Sequence, residues 1–330
     1  MAEIVLGVGT SHSPLLTFDA ELWNGYIQRD YTGRKLNLSD GRWVSYQELS
    51  KETGDKFADL ATIDQFRTKS DACQRALDHL ADDIAAAKLD AAVIITDDED
   101  ELFGAQIRPA VAIYCGEQIL TTERPTPQGN PNWFQHMVKV YGTDAVHAYP
   151  ALPDFAYRMI EQMIENGIDV GCAMKVEDPK KQGFGHGVGF VINRLFKGAA
   201  IPVVPVLLNT YFQPNAPKPA RCLEIGRAIA RSIRALPDDM RVGVFASGGL
   251  SHFTVDEVLD GAVLEAMKKG DSSPLGKIPA HALNSGSSEI RNWIALAAAV
   301  DGMKNRWLDY QPLYRTPAGT GIGVAFGIWE

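Results

Sequence analysis

The chain has 330 residues, 45% of them hydrophobic and 22% charged, a balance that supports a buried core and excludes large-scale disorder. Its 41 acids against 32 bases give a formal charge of -9, and no basic run is interleaved with aromatics, which argues against nucleic acid as a partner. No apolar run approaches the roughly 20 residues that cross a bilayer, and Glu3 stands where a secretory signal carries basic residues, so no membrane and a cytoplasmic location are expected.

Residues 3–9 read as a buried first strand, which Gly-Thr-Ser-His-Ser-Pro stops, leaving His12 on a loop. In the stretch 17–66, Trp23, Tyr26, Tyr31, Trp43 and Tyr46 are scattered without a period among polar residues, and a lid over a pocket is expected there rather than core. Ala76, Leu77, Leu80, Ile84 and Ala85 fall at helical spacing within 68–88, and this helix feeds a strand over 91–96. That strand runs out in Asp97-Asp98-Glu99-Asp100-Glu101, so carboxylates crowd a strand end.

Further strands are expected over 109–114, 169–174, 201–208, 241–246 and 321–329, and helices over 153–166, 220–236, 255–268 and 287–303. The alternation predicts one α/β domain over 1–330, its central sheet covered by helices on both faces. Cys73, Cys115, Cys172 and Cys222 form no C-x-x-C pair and are expected as buried free thiols.

His12, His186 and His252 each lie in a glycine- or serine-rich turn, and His12 and His252 follow a strand directly, where ligands of α/β sheets bind. His79, His136, His147 and His281 carry no such signal. The acids at 97–101 could be a solvated turn, but their place after a buried strand favours a metal role. Imidazole with carboxylate suits Fe(II), Mn(II) or Zn(II). Glu289 precedes an apolar helix, where an acid is also favoured by the helix dipole alone. The chain has no G-x-S-x-G elbow and no phosphate-binding loop, and Gly7-Val8-Gly9 lacks the third glycine of a dinucleotide site.

Met1-Ala-Glu-Ile-Val-Leu-Gly-Val-Gly-Thr-Ser-His-Ser-Pro, Gly248-Gly-Leu-Ser-His252 and Glu289-Ile-Arg-Asn-Trp293 resemble the class III extradiol ring-cleavage dioxygenases of the LigB family, and within it the subset similar to 3-O-methylgallate and gallate dioxygenases. The resemblance implies a LigB-like mixed sheet and Fe(II) as cofactor. It implies an aromatic diol and O2 as reactants and a homo-oligomer such as a dimer. Carried over residue by residue, it makes His12 and Glu289 metal ligands, His252 the catalytic acid and base, and His186 a second catalytic histidine. Where the family shows D-H-x-x-x-F, this chain has Asp98-Glu99-Asp100-Glu101-Leu102-Phe103, so the remaining ligand is expected at Glu99, with Glu101 and Asp98 as alternatives. The altered ligand leaves two rivals open: a metal enzyme of other hydrolytic or oxidative chemistry, and a non-catalytic LigB-like binding protein.

Overall fold

A computed structural model describes residues 1–32 and 35–330. Nine segments form one mixed sheet: β1 (Glu3–Thr10), β2 (Ala91–Asp97), β3 (Val111–Tyr114), β4 (Gly171–Ala173), β5 (Val203–Leu208), β6 (Arg241–Ser247), β7 (His252–Thr254), β8 (Asn305–Tyr314) and β9 (Thr320–Trp329). Their order is β7-β9-β1-β6-β2-β5-β3-β4, with β8 also paired to β9. The central four, β1, β6, β2 and β5, run parallel, while β3 and β9 pair antiparallel to them.

These central strands are continuous apolar runs because both faces are covered. In β2, Val93 and Ile95 join the core under α3 (Pro153–Glu165), α4 (Pro219–Ala235), α5 (Glu257–Lys269) and α6 (Ile290–Ala299). Its neighbours Ala92 and Ile94 join the opposite core, under the 25-residue helix α1 (Ile63–Ala87) and the helix α2 (Asn132–Tyr141). The former starts where Thr62 accepts a hydrogen bond from the Gln65 N–H, and it stops at Lys88 in the left-handed conformation, which turns the chain into β2. The α/β class with helices on both faces thus holds. No described helix is long and apolar enough to cross a membrane.

The stretch 17–66 differs from expectation. Trp23 is fully buried and packs on Phe66 at 5.2 Å between ring centroids, and Phe18, Tyr26 and Ile27 belong to the same core. Short helical turns at 20–30 hide the period that would have marked them as core. Only the later part is peripheral: Trp43 is exposed, and the helix Tyr46–Thr53 is closed by a Ser45–Glu48 capping box. Residues 33 and 34 of the expected lid lie outside the described residues. Cys172 is another correction, since it is exposed on the terminal strand β4 rather than buried.

Candidate active site

The parallel strands β1, β6 and β2 are neighbours, and the chain leaving each delivers one candidate group to the same end of the sheet. His12 lies two residues beyond β1, Asp97 is the last residue of β2, and His252 follows the Ser247-Gly-Gly-Leu-Ser turn after β6. Strand ends of open α/β sheets suit this because loops diverge there and leave a crevice. Glu289 comes from one face, closing the turn Ser285–Glu289 before α6. His186 comes from the other, opening the short helix His186–Phe190. That helix can approach β2 because residue 187 is glycine: a Cβ there would collide with Thr96.

All three histidines are held by Nδ1 and turn Nε2 inward. Ser247 Oγ donates to the Gly187 carbonyl at 2.7 Å, so it accepts from His12 Nδ1 at 2.9 Å. His252 Nδ1 donates to the Leu250 carbonyl at 2.7 Å, and His186 Nδ1 donates to Glu101 Oε1 at 2.8 Å. With Nδ1 protonated, the neutral ring of His12 presents its Nε2 lone pair, the atom and tautomer that bind metals. His12 Nε2 stands 3.2 Å from Glu289 Oε2, His252 Nε2 stands 3.2 Å from Glu289 Oε1, and His186 Nε2 stands 3.8 Å from Asp97 Oδ2.

His12 and Glu289, separated by most of the chain, therefore meet. Donor atoms of His12, Asp97 and His186 lie within 4.8 Å of one another, as do those of Asp97, Glu99 and Glu289. His12 Nε2 and Asp97 Oδ2 are buried without a hydrogen-bond partner, which is costly unless a cation or ligand joins them. This donor set of imidazole and carboxylate fits a divalent ion such as Fe(II), Mn(II) or Zn(II).

The charges around it are strongly coupled. Burial raises the carboxyls of Asp97 and Glu99, and the neighbouring Glu289 charge adds to it. Glu289 itself lies well below the ordinary range: burial opposes ionisation, but His252 and His12 outweigh it. Burial lowers His12 against the pull of Glu289, which keeps its lone pair available. For His186 burial acts downward too, yet Glu101, Asp97 and Glu99 together push it up to about 10. His252 is raised, burial again opposing and Glu289 prevailing.

Within the acidic run the five side chains part company. Asp98 folds back to accept from the Leu102 and Phe103 amides at 2.7 and 3.0 Å, and Glu101 is engaged by His186. Glu99 lines the cavity. Asp97, which the sequence did not single out, is the acid shared by both donor groups. Its signal was its position as the last residue of a buried strand. Asn292 supports it, donating to Asp97 Oδ1 at 3.3 Å and to the Ser247 carbonyl at 3.1 Å. Away from the site, His79 stacks on Trp307 and His147 pairs with Asp144.

His12, Glu99, His186, His252 and Glu289 line one cavity of about 640 Å³, with Tyr26, Trp133, Phe134, Met137 and Tyr141 as aromatic and apolar walls. Arg29, Arg124 and Arg315 line it too. A family model described as the catalytic LigB subunit of aromatic ring-opening dioxygenase matches residues 60–325. The chain belongs to the LigB family. The matched range holds Asp97, Glu99, His186, His252 and Glu289, whereas His12 precedes it. Among solved structures the chain is similar to that of an uncharacterized protein, JW3007, from Escherichia coli K12, with 14% identity, a TM-score of 0.45, and coverage of 76% of this chain and 91% of that one. As a LigB-family catalytic subunit, the protein is of the dioxygenase type, and the groups gathered at the strand ends form a candidate metal site.

Proposed function

We propose that the protein is a non-haem Fe(II)-dependent extradiol dioxygenase that opens the ring of a catecholic or gallate-type substrate with O2. The observation that carries this reading is a pair of donor groups, His12–Asp97–His186 and Asp97–Glu99–Glu289, joined through Asp97 and the 3.2 Å contact of His12 with Glu289, beside an aromatic-walled cavity of a LigB-family chain. His12 and Glu289 would hold the ion, with Glu99 as the third ligand expected from the sequence and Asp97 as an addition from the geometry. When bound, such an ion supplies a Lewis acid that brings the two ring oxygens and O2 together. The carboxylate-rich set also suits Mn(II).

The protein's own groups do the rest. His252 has only Nε2 free for proton transfer, because Nδ1 is committed to the Leu250 carbonyl. It takes the proton of a ring hydroxyl at that atom and returns it to the opening product. His186, fixed by Glu101, presents its Nε2 beside the same substrate oxygens. Trp133, Phe134 and Tyr141, from one helix, give the ring an aromatic wall. The guanidinium groups of Arg29, Arg124 and Arg315 suit a ring carboxylate, which supports the gallate type.

The test is anaerobic reconstitution with Fe(II), followed by oxygen uptake and ultraviolet–visible scans with a panel of catechols and gallates. Stoichiometric oxygen uptake and a yellow ring-opened product are expected. Tight iron binding with no oxygen uptake from any diol would favour other chemistry on this scaffold.

A further inference from the structure

One pair of reactive groups lies outside the pocket and has no part in the proposed reaction. Cys115 follows β3, and its N–H donates to the Ala173 carbonyl at 2.8 Å; Cys172 is the middle residue of β4, in register with Ile113. The pairing holds the two sulfurs 3.4 Å apart. A disulfide bond is about 2.0 Å long, so the two sulfurs must close by roughly 1.4 Å for a covalent bond to form.

The surroundings of the two thiols are unequal. Cys115 is buried, while Cys172 is exposed on the last strand in the sheet order, where a dissolved oxidant can reach it. Burial raises the Cys115 thiol, and its contact with Cys172 adds to this, so Cys115 is the slower of the two to react with anything from solution. Cys73 and Cys222 differ from both: each is buried, and neither contacts another sulfur.

Their place in the chain gives the pair a consequence. Residues 116–171 include the loop bearing Arg124 and the helix Asn132–Tyr141, which together make one wall of the cavity. A bond between 115 and 172 would close that wall into a covalent ring.

We propose that Cys115 and Cys172 are a reversible redox-modification site, joined as a disulfide when a hydroperoxide reaches Cys172. The Cys172 thiolate attacks one peroxide oxygen, the O–O bond breaks, the other oxygen leaves as water or alcohol, and Cys172 becomes a sulfenic acid. The Cys115 sulfur attacks that sulfur, the S–O bond breaks, water leaves with the Cys115 proton, and the S–S bond forms. Two thiols are oxidised by two electrons, and the hydroperoxide is reduced by the same two.

The test uses the reduced full chain, treated with hydrogen peroxide, quenched and alkylated, then read by intact mass and non-reducing peptide mapping. The expected result is a loss of two hydrogens and a linked peptide pair holding Cys115 and Cys172, separated again by dithiothreitol. In Cys115→Ser the link is absent and Cys172 becomes trappable by dimedone; in Cys172→Ser the link is absent and Cys115 stays reduced. The proposal is overturned if peroxide leaves both thiols open to alkylation, or carries Cys172 to sulfinic acid in the unsubstituted chain without linking it to Cys115.

Discussion

Ser247 makes the lone pair of His12 point where it does. Its hydroxyl hydrogen is committed to the Gly187 carbonyl, so it can only accept from His12 Nδ1. Ser247→Ala removes the acceptor and frees the ring to turn, and metal affinity should drop about 10- to 100-fold in a competition titration, with the fold unchanged by circular dichroism. His252→Gln should lower kcat by about 10²- to 10⁴-fold while bound iron, measured by elemental analysis, stays stoichiometric. Loss of iron in that variant would place His252 among the ligands instead of at the proton. His12 and His252 were legible because each follows a run of strand residues, and that placement depends on local pattern alone. The acid that lies between His12 and His186 was not. Five consecutive carboxylates look alike in sequence, and only the packed chain shows Asp97 held on the ladder opposite Leu208, Asp98 turned back onto amides and Glu101 engaged by a histidine.

The elements that carry these residues are tied together by close approaches. Gly9, in β1, lies against the buried Trp293 of α6, whose indole N–H donates to the Gly248 carbonyl at 2.7 Å, and a Cβ at position 9 would drive into that ring. Gly9→Ala should cost about 1–3 kcal/mol of stability in a denaturant titration and displace the Gly248 turn with it. A second tie joins α5 and β8 to the His252 turn: Asp260 accepts from the Ser251 amide and hydroxyl at 2.8 and 2.7 Å and from the Tyr310 hydroxyl at 2.7 Å. Burial raises this carboxyl from 3.8 to about 6, against those hydrogen bonds. Between about pH 4 and 6 the folded chain therefore holds the proton more tightly than the unfolded one, and stability falls as pH rises through that window. The unfolding free energy of the protein relative to Asp260→Asn should decline across it by on the order of 3 kcal/mol, and a flat difference would show that Asp260 ionises normally. β8 itself went unread in the sequence. Its Asn-Arg-Trp-Leu-Asp-Tyr-Gln-Pro-Leu-Tyr run has polar residues and a proline, features that an outer strand paired only to β9 tolerates and a central one does not.

Across the whole molecule the charge is unevenly spread. The chain carries a formal charge of -9, yet three guanidinium groups line the one cavity that holds the donor cluster. Arg124→Met should raise KM for carboxylated diols about tenfold with little change in kcat, and leave simple catechols unaffected, in steady-state oxygen-uptake assays. Equal effects on both substrate sets would remove the guanidinium from substrate recognition. The layered α/β architecture was legible, β8 and the stretch 17–66 aside, since continuous apolar runs and amphipathic helices alternate along the chain. The cavity was legible only in part: Tyr26, in the stretch expected to lie over a pocket, lines it, whereas Trp133 lies in a short helix that the sequence did not mark and meets Tyr26 only after folding.

The volume of that cavity sets how this protein can choose among aromatic molecules. At about 640 Å³ it holds several times what a single six-membered ring fills. On the proposed reading, steric exclusion is thus a weak filter, since the volume leaves room beyond a single ring. On that reading, discrimination falls to where positive and negative groups sit along the walls, with Arg29, Arg124 and Arg315 set against Glu99 and Glu289.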